Sequence, residues 1–199
     1  MRIEDNAVFI DRAATAVGDR AVAVAVVDLD AFAAVNEEFG SEAGDRVLAA
    51  WERTFAGSLP EDATVGRIGG DEYAVALPGL SAESALIMLE EVRSHFASHP
   101  VDGVGLPLNA SIGIAARPPH AQEIADLVRA ANEALMRAKR EGAGRVAIYA
   151  EEKMTLKSNY YSRATLDKLN KLSNATSRTE ASLLREALED LLQKHRSLL

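Results

Sequence analysis

Two separated segments constrain this chain more than anything else in it. Residues 67–79 read RIGGDEYAVALPG. An apolar strand turns through Gly69-Gly70, presents Asp71 and Glu72, and returns as a second strand, which is the pattern of a β-hairpin. Upstream, residues 25–45 read AVVDLDAFAAVNEEFGSEAGD, an apolar strand that ends in Asp28-Leu29-Asp30. A hairpin tip bearing acids, set beside a strand end bearing acids, gathers enough negative charge to hold Mg²⁺ next to a nucleoside triphosphate. The bland alternative is a polar turn and a solvated strand end.

The rest of the chain reads as a mixed α/β domain followed by a small tail. Asn6–Val17 is expected to be helical, Arg20–Leu29 a strand, Phe32–Phe39 a short helix ending at Gly40. Residues 45–57 form an amphipathic stretch with Val47, Leu48, Trp51 and Phe55 on one stripe. The hairpin occupies Thr64–Ile68 and Glu72–Leu77. A helix starting at Ser81 carries Leu86, Leu89, Val92 and Phe96 inward. Leu108–Ala115 is a strand, Ala121–Glu141 a helix after Pro118-Pro119, and Arg145–Tyr149 a last strand. Strands and helices mixed around one antiparallel hairpin predict a mixed sheet with helices packed on it. The expected boundary falls near residue 150, giving domains 1–150 and 151–199.

Charge divides the chain the same way. Of a formal net charge of −8, the first 150 residues carry −10 and the last 49 carry +2. An acidic body with a mildly basic tail suggests two units with different tasks, and it argues against nonspecific nucleic-acid binding by the body. The absence of cysteine excludes disulfides and thiolate metal sites. The first residues carry acids and no continuous apolar run, and the longest apolar run, Ala21–Val27, is too short to cross a bilayer. The expectation is a soluble, cytoplasmic protein with no membrane partner.

Phosphoryl and nucleotidyl transfer ask little covalent chemistry of a protein. They need cations on the triphosphate oxygens and an aligned hydroxyl. Asp28 and Asp71 are the natural metal-binding carboxylates, with the Leu29 carbonyl adjacent, Glu72 a second acid within reach and Asp30 a further candidate. Gly69 and Gly70 let backbone approach phosphate. Asn36 and Asp45 offer the amide and carboxylate that suit a guanine edge. Taken alone, Asn36 reads first as a helix-surface residue and Asp45 as the N-cap of the following helix.

Together the segments resemble the GGDEF family, the diguanylate cyclases, with Tyr73 where the family name has Phe. The resemblance runs from about Ala21 to Tyr149, and NASIGIAA (109–116) resembles the family's strand before its last helix. It implies a nucleotidyl-cyclase or polymerase-palm-like fold that condenses two GTP into cyclic di-GMP with release of pyrophosphate. It also implies Mg²⁺ or Mn²⁺ at Asp28, the Leu29 carbonyl, Asp71 and Glu72, with Asp71 and Glu72 catalytic. Guanine would lie at Asn36 and Asp45, and phosphates at Lys139, Gly69 and Gly70. Each subunit presents one GTP, so two subunits must meet face to face. Three departures stand out. Gly142-Ala143-Gly144-Arg145 replaces the family's Gly-Arg-Asn-Arg run, so one phosphate-side arginine is missing. The usual Asp-x-Leu-Thr start is absent. Pro60 and Ala63 stand where an inhibitory Arg-x-x-Asp would be, so product inhibition through that site is not expected.

The tail reads as a strand (Met154–Tyr161) and two helices split by a polar turn at Asn174–Ser177. The first helix carries Leu166, Leu169 and Leu172. The second, Thr179–Arg196, carries Leu183, Leu184, Ala187, Leu188, Leu191 and Leu192. Either a Ser177-x-x-Glu180 capping box or an N-cap at Thr179 can start it. Fewer than fifty residues of this kind cannot bury a core alone. The tail resembles a ribbon-helix-helix module, which implies a homodimer whose paired strands enter the DNA major groove. One face of the strand presents Thr155, Lys157, Asn159 and Tyr161 and the other Leu156, Ser158 and Tyr160. Polarity favours Thr155, Lys157 and Asn159 as the DNA-facing set, with Thr179 at a phosphate. Three readings follow. The chain is a diguanylate cyclase dimerised and regulated by a DNA-binding tail, or a GTP or cyclic-dinucleotide sensor controlling that tail, or a cyclase whose tail only clamps the dimer.

Overall fold

The longest apolar run becomes the centre of the sheet. In the computed structural model, which describes residues 1–105, 108–150, 161–176 and 178–195, β1 (Val22–Asp30) is flanked on both sides by antiparallel strands. β3 (Glu72–Pro78) lies on one side and β4 (Asn109–Arg117) on the other. β2 (Thr64–Arg67) extends the sheet through the expected hairpin, and β5 (Val146–Ile148) pairs parallel with β4. The order β2-β3-β1-β4-β5 is the mixed sheet expected from the sequence. A strand buried on both faces has no polar alternation, which is why Val22–Val27 is continuously apolar.

Helices cover both faces. α3 (Ser41–Ser58) and α4 (Ala82–Ser98) pack with Val27, Leu29, Tyr73, Val75, Ile112 and Ile114. Trp51 of α3 lies 5.2 Å from Phe96 of α4, ring centre to ring centre, edge to face. α1 (Asn6–Val17) and α5 (Ile124–Arg140) cover the other face with Val22, Val24, Val26, Ala74, Ala76 and Ala115. α2 (Phe32–Phe39) lies against α3.

α5 comes close to the sheet because residue 113 is glycine. A Cβ there would stand 2.0 Å from the Ala131 carbonyl oxygen and 2.2 Å from the Leu135 nitrogen, both backbone. Backbone atoms of a packed helix cannot yield as a flexible side chain does. Gly113→Ala is therefore expected to destabilise the domain by about 3 kcal/mol or more, read as a fall in the denaturation midpoint. A change within 0.5 kcal/mol, roughly the range of surface substitutions, would contradict this packing.

Two expectations need correction. The helix bearing Asp45 begins at Ser41, so Asp45 lies inside it and is not its N-cap. Gly40, at φ +80°, ends α2 and starts α3 without a side-chain cap. In the tail, α6 (Arg163–Thr176) includes Asn174–Thr176, which the sequence reads as turn. The expected strand at Met154–Tyr161 falls almost wholly outside the described residues, as does Ser177. Tyr161 itself is exposed and belongs to no strand.

By its internal contacts the chain divides into units of residues 1–152 and 153–199. The second contains α6 and α7 (Glu180–Lys194). α6 has no buried residue, and Leu166, Leu172, Leu184, Leu188, Leu191 and Leu192 are 39–57% exposed. No helix among the described residues is long and apolar enough to cross a membrane.

Candidate functional site

Strand register brings the acids together. Asp28 of β1 faces Glu72 of β3 across the antiparallel pair, with Ser111 opposite on β4. Directly opposed side chains project from the same face of a sheet. Asp71 precedes β3, and its carbonyl accepts from the Leu29 N–H at 3.2 Å. The Asp28–Leu29 strand end is thereby tied to the hairpin tip.

Lys139 reaches this acid group from the last turn of α5. Its Nζ lies 2.6 Å from Asp28 Oδ2, and the two side chains are only 33% and 12% exposed. Burial, then the neighbouring Asp28 charge, push the Asp71 carboxyl above the usual carboxylate range; Lys139 and Arg67 offset part of this. A cation bound at Asp71 would offset both the burial and the neighbouring negative charge.

The hairpin tip is braced from behind. Arg67 donates from Nε to the Gly70 carbonyl at 3.2 Å and lies 3.9 Å from Glu52 of α3. The buried Tyr73 hydroxyl donates to Glu52 Oε1 at 3.2 Å. Burial, then the Glu52 charge, raise the Tyr73 phenol well above its ordinary range, so it remains a hydrogen-bond donor. Tyr73 thus carries a contact to α3 that a phenylalanine could not make. Gly69 packs against Glu72: a Cβ there would stand 2.7 Å from Glu72 Oε2.

Asn36 and Asp45 form a second group, at the corner between α2 and α3. Asn36 presses on Gly44, where a Cβ would stand 2.1 Å from Asn36 Oδ1. Asp45, the next residue, is exposed. Asp30 proves to be committed elsewhere. It accepts from the Ser111 hydroxyl at 2.7 Å and from the Gly144 N–H at 3.0 Å, which pins the loop after α5 to the end of β1. In that loop Ala143 has φ +54° and Gly144 φ +59°. Thr155, Lys157 and Asn159 lie outside the described residues. Thr179 directly precedes α7 and its carbonyl accepts from the Leu183 N–H.

Among the described residues no three His, Cys, Asp or Glu side chains converge as a metal-binding group. Asp28, Asp71 and the Leu29 carbonyl still fit a divalent cation. Mg²⁺ characteristically takes one or two carboxylates and fills its remaining positions with substrate phosphates and water.

Comparison with known proteins agrees with this geometry. Residues 9–145 match the family described as diguanylate cyclase, GGDEF domain. A diguanylate cyclase of Vibrio cholerae is 31% identical over 125 residues, covering 63% of this chain and 39% of that protein. The active GGEEF domain of a diguanylate cyclase from Vibrio cholerae superposes with a TM-score of 0.69 at 26% identity, over 76% of this chain and all of that one. The GGDEF domain of TpbB (YfiN) from Pseudomonas aeruginosa gives 0.68 at 32% identity, over 74% of this chain and 91% of that one. With the match spanning most of its length and the signature acids gathered at one strand end, the chain belongs to the GGDEF family.

Proposed function

We propose that this protein condenses two molecules of GTP into cyclic di-GMP, releasing two pyrophosphates. In each step the 3′-hydroxyl oxygen of one GTP forms a bond to the α-phosphorus of the other, and the bond from that phosphorus to the bridging oxygen of pyrophosphate breaks. The observation that carries this reading is the end of β1, where Asp28 stands opposite Glu72, Leu29 is tied to Asp71 through the backbone, and Lys139 is paired with Asp28.

Asp28, Asp71 and the Leu29 carbonyl would hold Mg²⁺ or Mn²⁺, which supplies charge neutralisation on the triphosphate. Glu72, opposite Asp28, would take the proton of the attacking hydroxyl. Lys139 and the backbone at Gly69-Gly70 receive phosphate oxygens. Asn36, its position fixed by Gly44, and Asp45 read the guanine edge, the carboxylate accepting from the N1–H and N2–H₂ donors that adenine lacks. The test is incubation of purified protein with GTP and Mg²⁺ followed by chromatographic separation of products. Pyrophosphate without a cyclic dinucleotide would overturn the reading.

Ala143 occupies the place of a phosphate-side arginine and already sits at a positive φ. Arginine there meets the same backbone cost as alanine, so the substitution is nearly neutral for folding. Ala143→Arg is expected to raise kcat/KM for GTP by about tenfold to a hundredfold, in line with a charge-assisted hydrogen bond of roughly 1.5–3 kcal/mol. An unchanged kcat/KM would mean that this loop does not face the phosphates.

Two copies must supply the two GTP molecules, and the tail supports their pairing. α6 and α7 expose six leucines and share too little buried surface to stand alone. We assign the leucine faces to a second copy of the same tail. The ribbon-helix-helix resemblance extends this to DNA, with Thr155, Lys157 and Asn159 toward the bases and Thr179 at a phosphate. Titration of duplex DNA at low salt tests that extension, and loss of binding in Lys157→Ala is the expected result.

A further inference from the structure

We propose that Lys139 is a shared counter-ion that makes divalent-metal binding and triphosphate binding depend on one another, so that each is weak alone and strong with the other. This rests on the nucleotide-site reading above.

The ammonium of Lys139 and a divalent cation compete for one oxygen. Nζ stands 2.6 Å from Asp28 Oδ2 in a largely buried pair. A cation bound to that carboxylate would leave the ammonium within a few ångströms of a double positive charge, in a setting that screens charge poorly. The metal must therefore displace the lysine. Displacing it without a replacement anion leaves a partly buried ammonium unpaired, which is costly.

The neighbouring acids do not offer that replacement. Asp30 is engaged by Ser111 and Gly144. Asp71 and Glu72 would themselves be turned toward the metal. The anion left to receive Nζ is the triphosphate. A lysine suits this transfer because its charge rides on a flexible four-carbon stem with three rotatable donors. The root of that stem is fixed, since α5 is seated on Gly113. Metal alone thus displaces the lysine from its anion with nothing to receive it. Triphosphate alone draws the lysine off Asp28 and leaves that carboxylate unpaired. With both bound, Asp28 faces the metal and the ammonium faces the triphosphate, so neither is left without an opposite charge.

The experiment measures Mn²⁺ binding by the loss of its free-ion electron paramagnetic resonance signal, with and without a non-hydrolysable GTP analogue. The association of Mn²⁺ with the analogue in buffer is subtracted. In the wild type, saturating analogue is expected to tighten Mn²⁺ about tenfold or more, a coupling of ordinary size for linked sites, and Mn²⁺ must tighten the analogue by the same factor. In Lys139→Met, Mn²⁺ alone is expected to bind about tenfold tighter than to wild type, with the coupling falling by about the same factor, to what direct contact between metal and phosphate supplies. Lys139→Gln must behave like the methionine variant, and Lys139→Arg must keep Mn²⁺ alone weak. Thermal melts establish that each variant is folded.

Equal or weaker Mn²⁺ binding by both folded neutral variants would overturn the inference while leaving the nucleotide site standing. Wild-type protein that binds Mn²⁺ and analogue independently would do the same. Wild-type protein that binds neither, singly or together, would remove the nucleotide-site reading and the inference with it.

Discussion

Asp71→Ala is expected to abolish cyclic di-GMP formation, by on the order of 10³-fold or more, given what single preorganised charge-stabilising groups contribute. The same substitution is expected to leave the fold intact and slightly more heat-stable in the absence of divalent ions. Both follow from one arrangement. Burial and Asp28 raise the Asp71 carboxyl above its ordinary range, so the folded protein binds that proton more tightly than the unfolded chain does. The ionised carboxylate therefore opposes folding at neutral pH, and the opposition fades as pH falls through the raised value. Removing the group removes a pH-dependent penalty together with a metal ligand. The melting-temperature gain of the variant should shrink as the buffer is acidified. Asp71 is partly exposed, so the gain is small. Product formation equal to wild type would sink the assignment of this carboxylate. A variant less stable at neutral pH would show that Asp71 acts as a structural acid.

The acid group was legible in the sequence because it depends on local patterns. A strand ending in Asp28 and a hairpin opening on Asp71-Glu72 become neighbours once the two apolar runs pair, and the observed register sets Asp28 opposite Glu72. α1 and α2 also fall where the apolar spacing put them. Elements that obey no local signal were misplaced. The start of α3 lay hidden in Ser41-Glu42-Ala43-Gly44, a polar stretch whose helix begins at a glycine with no side-chain cap. α6 runs through Asn174–Thr176 although those residues favour turns, with the Thr176 hydroxyl bonding back to the Leu172 carbonyl at 2.8 Å.

The residues that the sequence reading missed are those whose role exists only across long separations. Gly44 matters because Asn36 presses on it, and Gly113 because α5 does. Ser111 and Gly144 matter because they occupy Asp30, which sequence alone offered as a metal ligand. Glu52 carries no motif of its own in the sequence, yet it joins Tyr73 and Arg67 behind the hairpin tip. A tyrosine at the last position of the signature was the available clue, since a buried phenol asks for a partner.

A chain ending at Glu152 is expected to be a soluble, folded monomer whose cyclase rate per subunit at micromolar concentration falls by roughly 10²–10³-fold, with a steep dependence on protein concentration. The first unit carries its own sheet and both core layers, so the cut removes no core residue. It does remove six exposed leucines, for which pairing with a second tail is the proposed cover. Tethering through a short segment holds partner domains at an effective concentration in the millimolar range. The residues between Ala150 and Tyr161 reach at most roughly 35 Å, well within that regime. Without the tail the two GTP-bearing domains must meet by diffusion, and at micromolar protein the encounter frequency falls by about the ratio of those concentrations. Product formation should then rise with the square of protein concentration, and fusing an unrelated dimerising helix after Glu152 should restore much of the rate. Sedimentation and initial-rate series decide the matter. A truncated protein that remains dimeric at micromolar concentration, or one whose specific activity is full and independent of dilution, would place the dimer contacts in the GGDEF domain itself and leave the leucine faces to some other partner.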